Sequence, residues 1–137
     1  MGMNRERAER AISNARREFE NAVKSLEEGD YAGSLKYLQE SMEYAVKAVL
    51  IAYGVDYPKI QAVGRILYEL EEKCPLWFLE EIEAIAEVTD NLARGRPRFR
   101  DPYEYPLEQY EAVARETFPK AKKALESCQK LIKELFS

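Results

Sequence analysis

One short stretch of the chain holds the densest set of side chains that could do chemistry. It comprises Arg94, Arg96, Arg98 and Arg100, with Phe99 among them and Tyr103 and Tyr105 after them. A guanidinium can bind two phosphate oxygens at once, and an aromatic ring can stack on a nucleobase. The stretch is therefore a candidate for binding a nucleotide or the phosphates of RNA.

A simpler interpretation of the same arginines stays open. The chain carries 25 acidic and 21 basic residues, a formal net charge of −4, so neighbouring carboxylates can neutralise the arginines or leave them as a solvated charge run. The carboxylates considered are Glu80, Glu87, Glu104 and Glu108. Because the overall charge is negative, nucleic-acid binding would need a local basic patch. Arg5 and Arg7, on the first helix, are expected to contribute little to it.

The absence of histidine removes several kinds of chemistry. Without a single histidine in the chain there is no Ser-His-Asp or Cys-His nucleophile, no imidazole base and no His-ligated metal. Cys74 and Cys128 are too few for a zinc site and are expected to be reduced and buried. The glutamates of the fourth predicted helix offer Mg²⁺ poor octahedral geometry. We therefore predict no catalytic residue, no metal and no cofactor.

The composition is typical of a helical protein. With 137 residues, the chain fits a single domain, which we place at residues 1–137. Ala, Glu, Lys, Leu and Arg supply about half of it, as in long helices and coiled coils. No apolar run approaches the ~20 residues of a membrane span, and the charged N-terminus lacks a signal-peptide core. We expect a cytoplasmic protein with no membrane contact.

Apolar residues recur at spacings of three and four, which predicts five helices in an up-and-down bundle. The predicted helices are Asn4–Glu28, Tyr31–Ala52, Ile60–Cys74, Phe78–Leu92 and Leu107–Phe136. Gly29 and Gly54 are expected to end the first two helices, and Asp30 to cap the second. The fold class is all-α.

Proline and glycine mark the irregular parts of this bundle. The segment Gly95–Pro106 contains three prolines and one glycine, which predicts a loop that carries most of the arginines. Pro119 lacks a backbone N–H group, so the last helix is expected to kink or break near Phe118.

The second predicted helix is apolar over more than half of its circumference. An edge helix of a bundle needs an apolar stripe of only about 100°, so we expect a central helix with part of its face covered by a second copy of the chain. Tyr31, Tyr37 and Tyr44 are core residues or part of that homodimer interface.

The same helix carries a recognisable pattern. The residues Gly29–Ala32 and Gln39–Leu50 together resemble the signature of HEPN domains, which are small, all-helical prokaryotic proteins. The segments Tyr53–Pro58 and Val63–Leu67 resemble the same family. Within the pattern, Glu43 and Lys47 match family positions, and their spacing also suits an ordinary exposed ion pair. Lys47 joins the arginine segment as a candidate phosphate-binding residue.

The resemblance implies a four- or five-helix bundle, usually a homodimer, often paired with a small nucleotidyltransferase as a toxin–antitoxin or nucleotide-binding system. Many members are RNases with an Arg-x4-6-His motif, which a chain without histidine lacks. The favoured hypothesis is a non-catalytic module that binds a nucleotidyltransferase, a nucleotide or RNA phosphate. The alternative is an RNase that uses arginine and tyrosine, with no evident general base at neutral pH.

Overall fold

The computed structural model describes residues 2–57, 63–100 and 107–137. Within these ranges the regular structure is entirely helical, which confirms the all-α prediction with five helices. The elements are α1 (Gly2–Glu27), α2 (Tyr31–Ala52), a 3-10 helix η1 (Gly64–Leu70), α3 (Leu76–Arg100) and α4 (Leu107–Leu135).

The joint between α1 and α2 forms as the sequence predicts. Gly29 has a φ of +77°, a left-handed conformation that favours glycine and ends α1. The N–H groups of Gly29 and Asp30 donate to the carbonyls of Leu26 and Ser25 respectively. The Asp30 side chain accepts a hydrogen bond of 2.9 Å from the N–H of Gly33 and so caps α2. Gly54, with a φ of +70°, ends α2 in the same way.

Helix α2 is the centre of the bundle, because it packs against α1, η1, α3 and α4. Twelve of its 22 residues are buried, and Tyr31, Tyr37 and Tyr44 are half-buried against the core. The wide apolar face of α2 is thus covered by the chain's own helices. The homodimer stays a prediction, but the apolar face of α2 no longer supplies the argument for it.

Two buried polar side chains of α2 have different surroundings. The hydroxyl of Ser41 donates a hydrogen bond of 2.7 Å to the backbone carbonyl of Ala15 in α1, and Ala15 itself is fully buried. Gln39 is 1% exposed, and neither atom of its side-chain amide has a hydrogen-bond partner in the described part of the chain. An unpaired buried amide destabilises the fold.

The third helix differs from the prediction of four α-helical turns over Ile60–Cys74. Residues 58–62 lie outside the described residues, and the helix that follows is η1, of seven residues. A 3-10 helix has three residues per turn, and the buried residues Gly64, Leu67 and Leu70 follow that period. Gly64 lies directly against α3, where its N–H donates to the Asp90 carboxylate at 3.1 Å.

The prediction of a loop over Gly95–Pro106 is wrong for residues 95–100, because α3 continues as a helix through Arg100. Arginine has a high helix propensity. Pro97 lies near the C-terminal end of α3, where its missing donor affects only the carbonyl of Ala93. Residues 101–106, the second half of the predicted loop, lie outside the described residues.

Helix α4 contains Pro119 but runs without a break from Leu107 to Leu135. The proline leaves the carbonyl of Arg115 without its helical donor. Residues on both sides of the proline pack on the rest of the bundle, with Ala114 and Ala121 fully buried. These contacts hold the two halves of α4 in one helix.

Candidate functional site

The arginine segment begins on the exposed side of α3. Arg94 is exposed, and its guanidinium donates a hydrogen bond to the side-chain oxygen of Asn91. Neither Glu80 nor Glu87 forms an ion pair with Arg94 in the described part of the chain. The side chains of Arg96, Arg98 and Arg100 lie outside the described residues, as do Tyr103 and Tyr105.

The helical backbone changes what these arginines can do together. Residues four apart share one face of a helix, whereas residues two apart lie on opposite sides. Positions 94 and 98 therefore share one side of α3, and positions 96 and 100 share the other. The alternating spacing, which in a loop could converge on one phosphate group, instead distributes the four positions as two pairs.

Lys47 lies in a different place, a groove between α1 and α2 that we call the α1–α2 groove. The groove has a volume of about 300 Å³, at the lower end of the range for small-molecule sites. Its lining consists of Arg7, Arg10, Ala11, Asn14, Tyr44, Lys47, Ile51 and Tyr57. The buried Ala11 and Ile51 form an apolar floor, and the remaining side chains are exposed or half-buried.

The charges of the α1–α2 groove are all positive. In the described ranges, Arg7, Arg10 and Lys47 form no ion pair. By contrast Arg5, which lies on α1 like Arg7 and Arg10, has its Nε 2.9 Å from a carboxylate oxygen of Glu9. The Lys47 ammonium lies 5.7 Å from the centre of the Tyr57 ring, which is cation–π distance. The alternative pairing of Lys47 with Glu43, which the sequence allowed, does not form within these ranges.

Sequence reasoning missed the contribution of α1. From the sequence, Arg7 is expected to contribute little to a basic patch. In the structure, Arg7 lines the α1–α2 groove together with Arg10 and Asn14. These three residues follow the spacing of three and four that places side chains on one helix face. This signal is readable from the sequence, but only the register of α1 against α2 shows that the stripe faces Lys47.

A second groove lies between α3 and α4 and has a volume of about 460 Å³. Its floor includes the buried residues Ile85, Val88 and Leu92, and its rim carries three glutamates and two lysines. Both lysines are engaged, since Lys120 lies 3.6 Å from Glu116 and Lys123 lies 3.8 Å from Glu81. The net charge of this rim is negative, which disfavours an anionic ligand.

Neither cysteine is an activated nucleophile. Cys128 is buried, and burial raises the pKa of its thiol to about 12. Burial also raises the pKa of the half-buried Cys74 thiol. Both thiols are free; Cys128 is buried as predicted, whereas Cys74, which was also expected to be buried, is only half-buried. Both thiols are protonated and unreactive at neutral pH.

Among the described residues, no three histidine, cysteine, aspartate or glutamate side chains come together as a metal-ion site. In the same ranges, none of the helices combines the length and the apolar character needed to cross a membrane.

Comparison with known proteins gives one result. The model of the family described as "HEPN domain" matches residues 8–136, nearly the whole chain. No curated protein and no solved structure matches. The matched range includes α2, which carries the signature residues, and all but the first turns of α1.

Proposed function

Because the chain belongs to the HEPN domain family, we propose that it is a non-catalytic module that binds nucleotide or RNA phosphate. HEPN domains are generally nucleotide- or RNA-related. The family alone assigns neither a ligand nor a binding residue to this chain, so the proposal depends on the features of the α1–α2 groove.

The observation that carries the proposal is the meeting of three cations with two tyrosines. Arg7, Arg10 and Lys47 line one small groove with Tyr44 and Tyr57, in a protein whose formal net charge is −4. Guanidiniums and ammonium groups bind phosphate oxygens through charge-assisted hydrogen bonds. Tyrosine rings offer a surface for stacking a base. A phosphate-bearing ligand with an aromatic base satisfies both kinds of group.

The chemistry of the lining supports binding rather than RNA cleavage. Cleavage by general acid–base catalysis needs a group that gains and loses a proton near the working pH, and the chain has no histidine for this role. The groove's cations can hold a phosphate, but they leave the attacking hydroxyl without a base. In the alternative hypothesis, an RNase, the activity would depend on Arg98 and Tyr103 instead.

The binding proposal is tested by fluorescence anisotropy with labelled ATP and with a labelled short RNA. Arg10→Gln and Lys47→Gln each remove one positive charge, and each is expected to weaken binding at least tenfold, since a charge-assisted hydrogen bond contributes about 1.5–3 kcal/mol. Arg16→Gln is the matched control, because Arg16 is an exposed arginine of α1 that does not line this groove. Equal affinities in all variants would refute the assignment of the groove.

The arginines of α3 are a second candidate location for the same ligand. The double variant Arg96→Gln with Arg98→Gln removes one arginine from each side of α3, and its affinity for the same labelled ligands tests this location. A loss of affinity in that variant, with none in Arg10→Gln, would move the site to the end of α3. RNA cleavage that disappears in Arg98→Ala or Tyr103→Phe would establish the RNase alternative instead.

The proposal includes partners. HEPN domains are often dimeric, and we propose a homodimer with a small nucleotidyltransferase as an additional partner. On the described surface, the apolar side chains Leu76, Tyr68 and Val113 are 69%, 43% and 45% accessible. Sedimentation equilibrium decides the first part, because a monomer has a mass of 15.9 kDa. Co-purification with a nucleotidyltransferase encoded beside it decides the second.

A further inference from the structure

We propose that a groove between α1 and α4 is a docking site for an acidic amphipathic helix of a partner protein. This groove, which we call the α1–α4 groove, has a volume of about 840 Å³. It is lined by residues of α1 from Arg5 to Arg16 and by residues of α4 from Glu126 onwards, ending with Ser137. It shares no lining residue with the α1–α2 groove, so the proposal does not depend on nucleotide binding there.

The two helices run antiparallel along the α1–α4 groove. The ring centres of Phe19 in α1 and Phe118 in α4 are 5.3 Å apart. The later part of α1 therefore lies beside the earlier part of α4. It follows that Arg16 lies at one end of the groove and Lys133 lies towards the other end.

The dimensions of the groove suit a helix. Its lining on α1, from Arg5 to Arg16, extends about 16 Å at 1.5 Å per residue, which is three helical turns. Helix α2 packs against both α1 and α4, but it supplies no residue to the lining. The groove is thus the outer side of a helix pair whose inner side already holds one helix. A further helix can pack on the outer side by the same fit of ridges into grooves.

The floor of the groove is apolar and its rim is not. Ile12 and Ile132 are buried, and Phe136 is half-buried. These are the three apolar residues among the eleven that line the groove, whereas small-molecule sites are lined mainly by apolar side chains. An amphipathic helix places one apolar row on such a floor and leaves its polar flanks beside the rim. A phosphate backbone has no partner on this floor, and a flat bilayer does not match a concave surface.

The rim carries positive charge that the described part of the chain does not neutralise. Arg16 and Lys133 are exposed, and neither forms an ion pair within the described ranges. The Lys130 ammonium lies 4.2 Å from the centre of the Trp77 ring, a cation–π contact that holds its position and adds no negative charge. Three cations are thus available to carboxylates of a partner.

Two carboxylates also line the groove, and they define its polarity. Glu9 is engaged by Arg5, whose Nε lies 2.9 Å from it. Glu126 lies at the end of the groove opposite Lys133. The excess positive charge is therefore greatest beside Lys130 and Lys133. A partner helix complements it when its flanks are acidic and most of its carboxylates lie at that end.

The experiment measures the affinity of the full chain for three designed, labelled peptides of about 14 residues, long enough for about four helical turns. The acidic peptide has leucines at i, i+3, i+4 and i+7 and glutamates on both flanks. The basic peptide has lysines in place of the glutamates. The scrambled peptide has the composition of the acidic one, but its leucines do not share a face. By fluorescence anisotropy, the acidic peptide is expected to bind about tenfold more tightly than either of the others.

Reversing the charge of the rim locates the peptide. Arg16→Glu with Lys133→Glu is expected to invert the preference, so that the basic peptide binds more tightly than the acidic one. Phe136→Ala is expected to weaken the acidic peptide about fivefold, because it removes apolar contact on the floor. Lys122→Glu is the matched control, since Lys122 is an exposed lysine of α4 that does not line the groove. Circular dichroism checks that each variant is folded and that the bound peptide gains helix.

Several results would overturn the proposal. Equal affinities for the three peptides, no binding of any of them, or an unchanged preference after charge reversal would each do so. Capture by anionic phosphatidylserine vesicles, lost on charge reversal and without peptide binding, would assign the groove to a membrane surface instead. Arg10→Gln is expected to leave the affinity for the acidic peptide unchanged. A loss in that variant would place the peptide in the α1–α2 groove, whereas absence of nucleotide binding would leave the docking proposal standing.

Discussion

Because the side-chain amide of Gln39 is buried and unpaired, we expect its replacement by an apolar side chain to stabilise the protein. Gln39 is 1% exposed, and both polar atoms of its side chain lack a partner among the described residues. A buried polar group without a partner costs about 1–3 kcal/mol. Methionine has nearly the same length and flexibility, and a volume-conserving exchange in a core costs less than about 1.5 kcal/mol. With a removed penalty of about 2 kcal/mol and an exchange cost of up to about 1 kcal/mol, Gln39→Met is expected to stabilise the protein by about 1–2 kcal/mol.

The expected shift in melting temperature follows from chain length. At about 2.1 cal/mol/K per residue, the unfolding entropy of a chain of 137 residues is about 0.3 kcal/mol/K. The predicted gain then corresponds to an increase in Tm of about 3–7 °C. Thermal unfolding followed by circular dichroism measures it, and urea unfolding checks the free energy independently.

A contrasting variant on the same helix makes the reasoning testable. The Ser41 hydroxyl is buried and has a partner at 2.7 Å, so Ser41→Ala removes a satisfied hydrogen bond and is expected to cost about 0.5–1.5 kcal/mol. Opposite signs for the two variants support the distinction between paired and unpaired buried groups. A lower Tm for Gln39→Met would refute it, because the amide would then be contributing a hydrogen bond.

Three further predictions concern other parts of the bundle. In Gly64→Ala the new Cβ atom would lie 2.8 Å from both the Ala86 carbonyl oxygen and an Asp90 carboxylate oxygen, and the expected loss of about 1–3 kcal/mol is measured by urea unfolding. Pro119→Ala restores a backbone donor at an exposed position of α4 and is expected to raise Tm, with a gain of up to about 3 kcal/mol. Burial raises the pKa of the Cys128 thiol from 9.0 to about 12. Above pH 9 the thiol of the unfolded chain is therefore deprotonated while that of the folded protein keeps its proton. The free energy of unfolding accordingly falls as the pH rises from 9 to about 12. Urea unfolding at mildly acidic pH and in alkali is expected to show a smaller decline in Cys128→Ala than in the unaltered protein.

The parts of the fold set by local sequence were predictable. Gly29, Gly54 and Asp30 end or cap their helices as expected, because a left-handed glycine and an N-cap carboxylate act on backbone groups a few residues away. The central position of α2 was readable from its wide apolar face. Five helices were expected, and the described ranges contain five.

The parts set by packing were not predictable. The residues Val63, Leu67 and Leu70 follow the four-three spacing of an α-helix, whereas the observed 3-10 helix buries Gly64, Leu67 and Leu70. The contact of Gly64 with α3 cannot be read from the sequence before the two elements are placed together. Glycine and proline at positions 95 and 97 indicated a loop, but α3 extends past both. Lys47 was singled out from α2 as a candidate binding residue, but the positions of Arg7 and Arg10 beside it depend on the register between α1 and α2.

The central position of α2 has a consequence for how ligand binding can be observed. Because α2 packs on each of the other helices in the described ranges, its backbone amides are expected to exchange with solvent deuterium only when the whole chain unfolds. A ligand that binds only the folded state slows global unfolding by the factor 1 + [L]/Kd. Amides near Leu38 and Val46 would then slow by that same factor, although neither residue lines the α1–α2 groove. The amide exchange rate of α2 thus reports the fraction of α1–α2 grooves that hold a ligand, even at residues of α2 that do not line the groove.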